Sequence, residues 1–94
     1  AVLYLPTIAA AELYYLFERK NWMKEWSRLR LEMKRHSAFR YSSLSEDILK
    51  LFGETKAKEI HDKIIICTAR LFEAEALITK DEELRRLGEI KTVW

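Results

Sequence analysis

Apolar positions recur along this chain in two rhythms, and the changes between them mark the elements. Residues 2–5 are a short apolar run stopped by Pro6, which reads as the end of a buried strand. Thr7 is placed to cap a helix over about residues 8–20, in which Ala9, Ala10, Ala11 and Leu13 are good helix formers. A second helix over about 22–35 sets Trp22, Trp26, Leu29 and Met33 on one stripe, with Lys24, Arg28, Arg30 and Lys34 largely off it.

Residues 38–44 read as a strand. Ser43 to Glu46 has capping-box spacing and should start a short helix through about residue 51, closed by Gly53. The segment 57–73 is apolar around much of its circumference (Ile60, Ile64, Ile65, Ile66, Cys67, Ala69, Leu71, Phe72), so it reads as a helix covered on several sides. Residues 76–79 follow as a buried strand. Thr79 to Glu82 repeats the capping-box spacing before a short helix that Gly88 closes, and residues 91–94 form a last strand. Alternation of this kind implies an α/β layered domain with a mainly parallel central sheet flanked by helices and function at the carboxyl ends of its strands. No repeat, low-complexity tract or internal linker interrupts it, so residues 1–94 read as one domain.

Composition narrows the picture. With 49% hydrophobic residues in 94, the chain has material for a modest core, and no apolar run is long enough for a membrane span. A single cysteine, Cys67, excludes an internal disulfide and lies in an apolar run, and no signal peptide opens the chain; a cytoplasmic setting follows. One Cys and two His leave no room for a Cys/His zinc site. Charged residues reach 34%, above the ordinary share of roughly 25%, a bias found in heat-adapted proteins.

The overall charge of +2 conceals an asymmetry. Residues 19–40 carry eight basic side chains against two acidic ones, a net +6, so the remainder is acidic. A basic segment beside an acidic one suits a protein that holds a polyanion and keeps cations elsewhere. Arg19, Lys20, Lys24 and Arg28 are the candidates for sequence-blind phosphate contacts. Trp22 and Trp26 could stack on bases, pack into the core or serve dimerisation.

Three carboxylates stand where this architecture makes them candidates for chemistry. Glu12 sits one turn into the first helix on a face with Ile8 and Tyr15, where a charge is costly unless paired or metal-bound. Asp62 follows His61 in the first turn of the apolar helix, and Asp81 follows the strand ending at Thr79. Brought together, the three would favour a hard, oxygen-liganded Mg²⁺ or Mn²⁺ and metal-assisted phosphodiester hydrolysis. Helix capping and the macrodipole would equally account for Asp62 and Asp81 one at a time. Glu82 and Glu83 read as solvated helix acids, and His61 as a capping or packing residue. No phosphate loop, nucleophile elbow or His-Glu-x-x-His pattern is present.

Two motifs resemble those of a known family. His61-Asp62-Lys63-Ile64-Ile65 through Ala69 resembles the H-D-[RK]-I-I-x-x-x-A helix of PIN domains, and Leu77-Ile78-Thr79-Lys80-Asp81-Glu82-Glu83-Leu84 their L-I-T-x-D-E-x-[IL] turn. Pro6-Thr7-Ile8 with Glu12 is similar to the P-x-[IV]-x-x-x-E segment of the same family, and Val93-Trp94 to a common ending in its VapC-type toxin branch.

The resemblance implies a three-layer PIN-like fold and a ribonuclease, the toxin of a prokaryotic toxin-antitoxin pair. It implies metal-ligand and catalytic roles for Glu12, Asp62 and Asp81 with Mg²⁺ or Mn²⁺, and a water-positioning or ligand-supporting hydroxyl at Thr79. RNA as substrate, homodimerisation and an antitoxin protein as inhibitor are its further implications. The family's first strand, ending in a metal-binding Asp, has no counterpart here, because residues 2–5 match the second strand. A truncated module that binds RNA or a protein without cutting is therefore the alternative expectation.

Overall fold

Pro6 has no amide hydrogen for a ladder, so it can stand only where a strand stops. Strand β1, Leu3–Pro6, ends on it and pairs in parallel with β2, Phe39–Ser42, in the register Leu3 with Phe39 to Pro6 with Ser42. The computed structural model describes residues 2–94, which divide into two compact units, the first reaching Ser43 and the second running Leu44–Trp94.

In the first unit helix α1, Thr7–Arg19, continues straight out of β1. Thr7 is not its cap. Pro6 occupies the capping position and no side chain accepts a hydrogen bond from the first turn, so Thr7 is already helical. After α1, Asn21 takes a left-handed conformation (φ 58°), which its short polar side chain tolerates, and reverses the chain into α2, Met23–Arg35.

Trp26 is the inward residue of α2, 8% exposed, with Tyr14 and Phe17 of α1 edge-on to its ring at 5.6 and 5.7 Å. Leu29 and Met33 share that side and are half-buried. Trp22 leaves the expected stripe: it precedes the helix, stays 45% exposed and meets Phe17 edge-on at 5.8 Å.

The second unit is built on α4, Ile60–Leu71, which buries Ile64, Ile66, Cys67, Thr68 and Ala69. Cys67 is fully buried, as its apolar neighbours predict, and that burial pushes its thiol pKa up. The helix begins three residues later than its composition suggests. Residues before it are held by the Glu89 carboxylate, which accepts from the Thr55 hydroxyl at 2.8 Å and the Lys56 amide at 3.0 Å. Ala57 is thereby packed with Ile66 and Leu84 in the core instead of opening a helix.

Helix α3, Glu46–Lys50, precedes this segment and is capped by Ser45, whose hydroxyl accepts from the Ile48 amide at 3.3 Å. The expected box starting at Ser43 is displaced by two residues. Gly53 does not close the helix either: Leu51 does, and Gly53 lies in a 3-10 turn, Phe52–Glu54.

Strand β3, Leu77–Ile78, pairs in parallel with β4, Thr92–Val93. Between them α5, Glu82–Leu87, ends at Gly88 in the left-handed conformation (φ 63°) that a residue without Cβ adopts freely. The chain is thus an α/β protein with parallel strand pairing, one two-stranded pair in each unit among the described residues. None of the described helices is long and apolar enough to cross a membrane.

Glu89 also accepts from Arg70 Nη2 at 2.6 Å, tying the end of α4 to the approach of β4. Burial alone would raise its pKa, but the bonds from Thr55, Lys56 and Arg70 outweigh burial and the net shift is downward. A carboxylate held below its unfolded pKa stabilises the fold above that value and loses the contribution as pH falls through the folded one. Wild-type stability should therefore fall as pH drops below about 4.5, the ordinary glutamate value. Glu89→Gln is expected to flatten that slope in urea unfolding measured from pH 6 to 3; an identical slope in the variant counts against the assignment.

Candidate active site

Asp81 and Asp62 each stand at the start of a helix in the second unit. Asp81 follows β3 and caps α5, its Oδ1 accepting from the Leu84 amide at 3.1 Å. Thr79 prepares that position: its hydroxyl accepts from the Asp81 amide at 3.0 Å, turning the chain between strand and helix. The cap of α5 is therefore Asp81, two residues beyond the Thr79 that the spacing suggests. The capping explanation for Asp81 is correct as far as it goes, and it occupies one carboxylate oxygen.

Asp62 lies in the first turn of α4 without capping it; the capping residue is Glu59, whose side chain makes no cap bond. A helix amino terminus alone should favour its charge. The Asp62 pKa instead moves up. Burial is the largest cause, followed by the negative charges of Asp81, Glu59 and Glu83, with His61 partly opposing. Desolvation and like-charge crowding thus overcome the helix dipole. The acids at the two helix starts stand in one another's field.

Glu59 and Glu83 belong to that field as well; the sequence reading passed over Glu59 and took Glu83 for a solvated helix acid. Glu83 is exposed and pairs with Arg86 at 3.0 Å, as a solvated helix acid should. Its spacing from Asp81 and that of Glu59 from Asp62 were the available signal. Carboxylate oxygens are hard donors, matched in kind to a divalent cation such as Mg²⁺ and not to a thiol- or imidazole-seeking metal.

Glu12 stands on α1, in the first unit. Its apolar neighbours suggest a desolvated charge, but α1 buries none of its residues and Glu12 is exposed. Burial therefore does not raise the cost of its charge. Among the described residues, no three His, Cys, Asp or Glu side chains come together as a group that could hold a metal ion.

The basic candidates surround the turn between α1 and α2. The Arg19 guanidinium lies 5.6 Å from the centre of the Tyr15 ring, and the Lys20 ammonium 5.4 Å from that of Trp22. Lys24 and Arg28 are exposed on α2. Cations resting on exposed aromatic faces keep their charge available to solvent while the rings limit their motion.

No curated protein and no solved structure matches the chain. The PIN domain family model, however, matches residues 1–90, spanning both units and every acid described above. On that coverage, the chain belongs to the PIN domain family.

Proposed function

We propose that this chain is a divalent-metal-dependent endoribonuclease, the toxin of a prokaryotic toxin-antitoxin pair. PIN domains are generally nucleases that act on nucleic acid and typically use divalent metal ions. The observation that carries the reading is the crowding of Asp62 by Asp81, Glu59 and Glu83 where two helices begin. Crowded carboxylates are unstable alone and are relieved by a cation.

In this reading Asp62 and Asp81 hold Mg²⁺ or Mn²⁺, and a metal-ligand role for Glu12 rests on the family resemblance of its own segment. When bound, the ion lowers the pKa of water and neutralises charge on the phosphoryl oxygens. Asp81 is aimed by its cap bond to Leu84, and Thr79 sets the turn that presents it. Arg19, Lys20, Lys24 and Arg28 make the phosphate contacts that hold the strand. Residues 1–94 act as one domain in the cytoplasm, as a homodimer inhibited by an antitoxin protein. Cys67, buried as a reduced thiol, accords with that compartment.

The test is cleavage of a structured RNA by the 94-residue chain with Mg²⁺ or Mn²⁺, with chelator, and with Asp81→Asn. Chelation should abolish cleavage. Asparagine is as good a helix cap as aspartate, so Asp81→Asn should keep its melting temperature. Because the variant replaces a charged metal-holding oxygen by a neutral amide, it should lose at least about a hundredfold in rate. RNA binding without metal-dependent cleavage would assign the chain to the non-catalytic alternative.

A further inference from the structure

We infer that the first unit contains a pocket for one unstacked nucleobase of a single-stranded nucleic acid, with Arg30 holding that nucleotide's phosphate. The inference rests on the reading of the chain as a protein that acts on nucleic acid. The pocket is a shallow depression of about 480 Å³, open to solvent, between α1, α2 and β2. Its space exists because α1 presents Ala10 and Ala11, whose methyl groups leave room that larger side chains would fill.

Tyr14, Trp26 and Tyr41 supply the aromatic walls, and the edge-on contact of Tyr14 with Trp26 fixes two of them. Arg30 is the one charged residue of the lining, and among the described residues it makes no hydrogen bond or ion pair. It belongs to the segment of net charge +6. A flat apolar slot with a single cation suits a ligand that is aromatic at one end and anionic at the other. An aliphatic chain would fill the walls but give the guanidinium nothing. A bare phosphate would satisfy the guanidinium and leave the rings wet. A nucleotide uses both, and base-on-aromatic stacking accepts any base.

The pocket and Glu12 occupy different faces of α1. The α1 residues of the pocket, Thr7, Ala10, Ala11 and Tyr14, share one face, and Glu12 is turned roughly 150° from that face around the axis at 3.6 residues per turn. The pocket lining therefore does not include Glu12.

The test uses a labelled, uncleavable single-stranded RNA hexamer and fluorescence anisotropy without divalent ions. Ala11→Leu fills the slot from an exposed helical position with a residue of nearly equal helix propensity, and its melting temperature verifies folding. We expect roughly tenfold weaker binding for Ala11→Leu. Arg30→Ala should weaken binding and reduce the slope of log affinity against log salt by about one. Adenosine monophosphate should displace the hexamer, and ribose 5-phosphate should not.

Unchanged affinity in Ala11→Leu, alongside a loss in Lys24→Ala, would overturn the pocket and leave the nucleic-acid reading intact. Equal displacement by ribose 5-phosphate would reduce the site to a phosphate contact, and displacement only by N-acetylphenylalanine would assign it to a protein ligand; either overturns the proposal. Failure of the wild-type chain to bind any nucleic acid would remove both readings together.

Discussion

Asp62→Asn is expected to melt at a higher temperature than the wild-type chain at pH 7 while losing at least about a hundredfold in RNA cleavage. The two effects have one cause. Burial and three neighbouring acids raise the Asp62 pKa, and a carboxyl raised in the folded state costs stability as pH rises through its folded value. The amide removes that cost, and Asn and Asp have similar helix propensities, so the backbone adds little to the comparison. The catalytic loss follows from the several kcal/mol that a metal contributes to a phosphoryl transition state, at about 1.4 kcal/mol per decade of rate. Mn²⁺ should also raise the melting temperature of the wild type and leave that of Asp62→Asn unchanged, because an ion stabilises only the state that binds it. Scanning calorimetry with and without Mn²⁺ separates the cases: a variant that melts lower and still responds to Mn²⁺ contradicts the proposed role.

Trp26→Ala carries the largest expected cost in stability, about 3–5 kcal/mol. Among the described residues Trp26 is the one buried hydrophobic side chain of the first unit, and Tyr14 and Phe17 both lean on its ring. Small domains have only about 5–15 kcal/mol in total, and each kcal/mol is roughly 4–8 °C of melting temperature at this size. Faster amide exchange through α1, α2 and the β1–β2 pair should accompany a fall of about 15 °C or more. Trp22→Ala is the contrast, since Trp22 is largely exposed and its loss should cost less than about 1 kcal/mol. If the two variants melt alike, the inward placement of Trp26 is wrong. Any dimer measurement made with Trp26→Ala would also read folding, so Trp22 is the better probe of association.

Much of the architecture could be read from residue order. The alternation of elements, the carboxyl-end position of Asp81, the buried thiol and the Gly88 closure of α5 all depend on short-range propensities that the sequence displays directly. The helix starts were harder. Ser43 and Thr79 satisfy the Ser/Thr-x-x-Glu spacing, yet the structure uses Ser45 and Asp81, because several adjacent side chains could serve and backbone direction selects among them.

The late start of α4 was not legible either. The cause is Glu89, more than thirty positions away from Thr55 and Lys56, and no local pattern announces a partner at that distance. Glu12 shows the opposite error. It shares a helical face with Ile8 and Tyr15, but α1 buries none of its residues and Tyr15 is itself exposed, so that face gives no desolvated setting. The field around Asp62 needed three dimensions, because Asp81 and Glu83 stand at the start of a different helix, α5.

The seclusion of Cys67 gives the protein an internal clock. As the chain's single sulfhydryl, packed in mid-helix at 0% exposure, it can meet an alkylating reagent only when α4 opens. The rate of mass gain under native conditions then measures the frequency of that opening in the unaltered protein, with no label to introduce. Any ligand that holds the amino end of α4 closed should slow the reaction in proportion to its occupancy.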